Sequence, residues 1–142
     1  MKKVISLVSV AFIILSLFSA CKNNSPLSMD EMRDIAFTCF SEHKEEMESI
    51  IISEKASGKT NWCKTYGLLR DGKYEFVLQQ TGFTGTNTSS GILYIPNDTP
   101  KDDYTQSTDN PNVYFYEKGY TDEFYLERME TNWFFYYSEY DF

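Results

Sequence analysis

The chain predicts an α+β fold: one long N-terminal helix packed on an antiparallel meander sheet of five to six strands. Three observations carry this. Apolar residues recur at three- and four-residue steps between Met29 and Ile51, the period of a helix with one buried stripe. Beyond Gly58 the pattern changes to alternation, the period of a strand. From Val113 onward aromatic residues crowd into three short runs separated by turn-forming groups, as strand propensity favours.

The helix has a legible start. Ser28 and Glu31 have the spacing of a capping box, in which the serine hydroxyl accepts from the Glu31 amide while the Glu31 carboxylate accepts from the Ser28 amide. Leu27 and Met32 are spaced as a hydrophobic staple, and Asp30 and Glu31 suit the positive end of the helix dipole. Met29, Met32, Ala36, Cys39, Phe40, Met47, Ile50 and Ile51 form the apolar stripe, opposite Asp34, Glu42, Glu45, Glu46 and Glu48. Ser57, Gly58 and Lys59 supply the expected stop, with Gly58 free to adopt a left-handed cap.

Next, Trp62 to Arg70 and Lys73 to Thr81 flank Asp71 and Gly72, a dipeptide suited to a two-residue hairpin turn. That turn would oppose Leu69 to Tyr74, Gly67 to Phe76 and Thr65 to Leu78, on a face that also carries Cys63. Residues 82–91 have the Gly, Thr, Ser and Asn composition of a loop. Ile92 to Ile95 reads as a short strand stopped by Pro96, and 97–112 as a polar connection without the spacing of a calcium loop. Val113 to Glu117, Tyr120 to Met129 and Trp133 to Tyr140 read as the last three strands. In the final one, Trp133, Phe135 and Tyr137 point one way and Phe134, Tyr136 and Tyr140 the other, so neither face is polar. Such a strand is either covered on both sides or presented to a partner.

The first residues describe an address. Lys2 and Lys3 precede an apolar run from Val4 to Phe18, at about fifteen residues shorter than the roughly twenty that span a bilayer. It ends in Leu17, Phe18, Ser19, Ala20 and Cys21, which resembles the lipobox of bacterial lipoproteins. The resemblance implies cleavage before Cys21 and a diacylated Cys21 as the membrane anchor. It divides the chain into a signal peptide at 1–20, a lipidated tether at 21–27 and a single α+β domain at 28–142. It also implies a site outside the cytoplasm on the cell membrane or, with Lys22 rather than Asp after the cysteine, the outer membrane of a two-membrane host. A secreted protein whose signal ends near a cysteine, or an uncleaved membrane helix, is the alternative.

The net charge of −8 becomes about −10 once Lys2 and Lys3 are removed, because 11 basic residues then face 21 acidic ones. Nucleic acid is therefore excluded as an expected partner, since phosphate binding needs clustered Lys and Arg. A basic protein is compatible. In an exported chain Cys39 and Cys63 are either a disulfide or two buried thiols.

No catalytic constellation appears. His43, the one histidine, falls on the apolar stripe without neighbouring metal-ligand spacing, and no cofactor or metal motif occurs. The expectation is a binding module, not an enzyme, using an acidic, tyrosine-rich sheet face: Tyr114, Tyr116, Tyr125, Tyr136 and Tyr137, interleaved with Glu117, Glu123, Glu127, Glu139 and Asp141. An immunity- or inhibitor-type role fits the size and charge. The same rings serve equally as sheet packing, and a carbohydrate-binding or cell-wall-acting enzyme of the envelope is the competing class.

Overall fold

The computed structural model describes residues 27–82, 86–100, 104–118 and 122–141. The expected signal segment and the lipidation site Cys21 lie outside them. Helix α1, Met29–Ile52, begins at the predicted box: Ser28 N donates to Glu31 Oε2 at 2.9 Å and Glu31 N donates to Ser28 Oγ at 3.3 Å. Its stripe is buried at Met32, Ala36, Cys39, Phe40, Met47 and Ile50. The helix stops earlier than its sequence suggests. Ser53 caps it, and Glu54 takes the left-handed conformation with φ 51° that was expected of Gly58. Gly58 instead lies beneath the Tyr66 ring, where a Cβ would fall 2.3 Å from the Tyr66 hydroxyl.

Eight antiparallel strands follow: β1 (Ser57–Gly58), β2 (Thr65–Leu68), β3 (Tyr74–Thr81), β4 (Thr86–Tyr94), β5 (Thr105–Gln106), β6 (Val113–Lys118), β7 (Asp122–Glu130) and β8 (Trp133–Asp141). Their order in one sheet is β1-β2-β3-β4-β8-β7-β6-β5. The chain thus builds four strands outward to inward, crosses to the far edge, and returns through four more until β8 pairs with β4. This corrects the expected meander of five to six strands. The two additional strands, β1 and β5, are two residues each, too short to display an alternating pattern.

Two further corrections concern register and extent. The β2–β3 connection is a three-residue 3-10 turn, Arg70–Gly72, with Asp71 and Gly72 both at positive φ. Leu69 N donates across it to the Lys73 carbonyl at 2.7 Å. One extra loop residue slips the pairing by one, so Tyr66 opposes Phe76 and Thr65 opposes Val77. Tyr66 and not Gly67 therefore reaches the core. The second correction is that most of the segment expected as a loop, from Thr86 onward, is the first half of β4, paired with β8 throughout and with β3 from Thr88. Gly91 is required there: a Cβ would lie 2.0 Å from the Phe76 carbonyl oxygen, beside a bulge in β3 between Val77 and Gln79.

The sheet is covered on both sides. Under α1, Trp133, Phe135, Phe76, Tyr74, Tyr66 and Ile92 join the helix stripe in one buried cluster. On the opposite face Leu93, Ile95, Leu126, Phe134 and Tyr136 form a second cluster, on which Tyr104 and Tyr114 pack. Tyr104 comes from the β4–β5 connection. The same connection supplies Asp98, which takes hydrogen bonds from Arg128 and from the Asn132 amide, the latter at 2.6 Å. The guanidinium of Arg128 also sits 4.8 Å over the Phe134 ring and donates to the Tyr114 hydroxyl at 3.2 Å. The crossover is thereby clamped to the β7–β8 turn. Among the described residues no helix is long and apolar enough to cross a membrane.

Candidate functional site

The sheet's alternation divides the predicted tyrosines between two sides. Tyr136 is 1% exposed and fully internal, and Tyr114 and Tyr116 share its side, Tyr116 against Tyr104 with ring centroids 5.3 Å apart. Tyr125 and Tyr137 lie on the helix side and pack on the main core cluster. The single outward tyrosine surface expected from the sequence is therefore not formed. Odd and even positions of one strand face opposite ways, and both sides here are occupied.

Glu127 also leaves the predicted face. It is 8% exposed and accepts from Arg33 Nε at 2.6 Å and Arg33 Nη2 at 2.5 Å, with the Tyr125 hydroxyl adding a third bond at 3.0 Å. Hydrogen bonding from Arg33 outweighs burial and holds its carboxyl below the usual value. Burial, then its bond to Glu127, pushes the Tyr125 hydroxyl up to about 12, so it remains a neutral donor. This group joins α1 to β7 and is structural.

What the tertiary structure does assemble is a smaller surface at the open end of the helix side. Phe115, 45% exposed, meets Tyr125 edge-on with centroids 5.6 Å apart. Tyr137 lies on β8 directly opposite Tyr125 and donates from its hydroxyl to Glu139 Oε2 at 2.7 Å. Two residue pairs further along, the backbone register places Glu117 opposite Glu123, and Glu123 opposite Glu139. Three acidic positions thus stand in one row across β6, β7 and β8. By the two-residue period they share a register side with Phe115, Tyr125 and Tyr137. As a general rule, like charges directly opposed across a sheet are destabilising.

Sequence reasoning named Glu117, Glu123, Glu139, Tyr125 and Tyr137 but missed Phe115. The signal for the row was the strand period combined with hairpin register, which links Glu117, Glu123 and Glu139 only once the pairing is known.

A separate open groove with about 390 Å³ of space lies along α1 between Asp34, Ile35, Thr38, Cys39, Glu42, His43 and Trp62. Trp62 is stacked on His43 at 5.1 Å and donates to Glu46 at 2.7 Å. Its ring is thus already engaged by the protein. Burial, with smaller effects of Cys63, Glu42 and Glu46, pushes the Cys39 thiol up to about 11, which makes it a poor nucleophile at neutral pH. Cys39 and Cys63 are both buried free thiols, so the expected disulfide alternative is not formed in this structure. No group of three or more His, Cys, Asp or Glu among the described residues is arranged to hold a metal ion. No family model, curated protein or solved structure matches the chain.

Proposed function

We propose that the protein is an exported lipoprotein, anchored through Cys21, that acts as a binding module for a basic protein partner. The recognition surface is the acidic and aromatic end of the sheet: Phe115, Tyr125 and Tyr137 beside Glu117, Glu123 and Glu139. Cleavage at the lipobox-like sequence and diacylation of Cys21 would moor it outside the cytoplasm, and an immunity- or inhibitor-type role follows from its small size and acidity.

The observation that carries this reading is the in-register row of three acidic positions. A row that costs the sheet stability is explained when a Lys- or Arg-rich surface neutralises it. The adjoining rings provide apolar area with polar edges, the composition that interfaces favour.

Substituting the central member, Glu123→Gln, tests it. Relief of two like-charge neighbours should raise stability by about 0.5 to 1 kcal/mol in urea titrations at low salt. The same change should weaken binding of a labelled oligolysine probe severalfold, and rising salt should weaken the wild-type complex in parallel. Unchanged probe affinity, with wild-type folding retained, would remove the acidic row from the binding surface. The anchor is checked separately: wild-type cells should incorporate radioactive fatty acid into the protein and Cys21→Ser cells should not.

A further inference from the structure

We infer that Cys39 and Cys63 are a disulfide pair whose bond is made while the chain folds and is then sealed by the core. Cys39 belongs to the buried stripe of α1, and Cys63 to the irregular segment between β1 and β2, yet both enter the same buried cluster. That segment is held against the very part of the helix that bears Cys39. Trp62, next to Cys63, stacks on His43, one helical turn beyond Cys39, and hydrogen-bonds Glu46. Cys39 and Trp62 also line one groove. Charge on Cys63 acts on the Cys39 thiol, as expected of neighbouring sulfurs. Cys63 Sγ accepts a hydrogen bond from the Thr60 hydroxyl at 3.3 Å and the Cys63 amide donates to Thr60 Oγ1 at 2.9 Å, so closing the bond requires this small turn to rearrange.

Burial decides when the bond can form. With its thiol pushed up to about 11, Cys39 carries roughly one thiolate in 10,000 at pH 7, and the thiolate is the species that attacks a disulfide. The folded dithiol is therefore slow to oxidise, whereas the unfolded thiols ionise normally. During folding outside the cytoplasm, one thiolate attacks a small disulfide oxidant and releases one thiol from it. The second cysteine then attacks the mixed disulfide at the protein sulfur and releases the other. Two protein thiols become one disulfide and the oxidant becomes two thiols. The proposed address supplies only the oxidising compartment; the chemistry of the pair is independent of the binding face.

The test is refolding of the full chain from urea in a glutathione redox buffer, with non-reducing peptide mapping. The expected product is a peptide joining Cys39 to Cys63, with a denaturation midpoint above that of the reduced protein. Reduced protein kept folded in the same buffer at pH 7 should keep both thiols for much longer. Once formed, the bond should resist reductant until the chain is unfolded. Refolded chains that retain both thiols, or that instead link either one to Cys21 or to glutathione, would overturn the inference. The Cys39→Ser/Cys63→Ser variant supplies a second readout: if folded, its midpoint should match the reduced wild type and not respond to oxidant, and a response would equally overturn it.

Discussion

Glu127 illustrates how a residue chosen for its charge can be taken by the fold. Arg33 is about one-third exposed (36%), so the pair falls short of a fully buried bridge. Glu127→Gln should therefore cost about 2 kcal/mol at pH 7, below the 3 to 5 typical when a buried pair is broken. Because the Arg33 bonds depress the Glu127 carboxyl below its ordinary value of 4.5, the native state favours its ionised form. That contribution is complete above the ordinary value and is lost as pH falls through the depressed one. Urea titrations at pH 7 and pH 3 should show the gap between wild type and variant narrowing in acid. Gly91 makes the opposite kind of demand, for space. Gly91→Ala would force a methyl against the Phe76 carbonyl, and a loss of roughly 3 kcal/mol is expected by the same titration.

Among the elements, the two connections carry most of the information that local pattern lacks. The β2–β3 turn contains three residues, and its odd length sets which side of β2 faces the helix. Deleting Asp71 would leave two residues and drive Tyr66 away from the Phe76 ring, 6.0 Å from it in the native packing. The deletion should lower the thermal midpoint and expose Tyr66 to solvent, seen as a change in near-ultraviolet dichroism. The β4–β5 crossover depends on Asp98, which stands at φ 55° and holds both Arg128 and the Asn132 amide. In Asp98→Ala, hydrogen exchange should accelerate at Asn132 and along β5 while β4 and β8 remain protected, because their pairing does not involve that carboxylate.

For the whole molecule, the decisive fact is that β4 and β8 form the centre of the sheet and not its edges. A helix covers one side of this seam, and the crossover with Tyr104 packs on the other. The last strand, apolar on both sides, needs no external cover at Trp133, Phe134, Phe135 or Tyr136 for that reason. On β6, toward the far edge of the sheet, Phe115 stays half-exposed. On the same side of the sheet Glu117, Glu123 and Glu139 stand in register across β6, β7 and β8, beside the surface proposed for a partner.

The amino-acid sequence determined the elements whose causes are local. The capping box fixed the start of α1, its three- and four-residue period fixed the stripe, and the aromatic runs fixed β6 to β8, because each signal is complete within a few neighbouring residues. Thr86 to Ser90 carry no apolar alternation and became strand only because β8 pairs with all five and β3 with Thr88 to Ser90. Tertiary structure likewise decided which tyrosines are buried, where Glu127 goes, and that Glu117, Glu123 and Glu139 stand in one row. Those outcomes depend on pairing between segments far apart in the chain, and a side chain's exposure is set by what arrives on its side of the sheet.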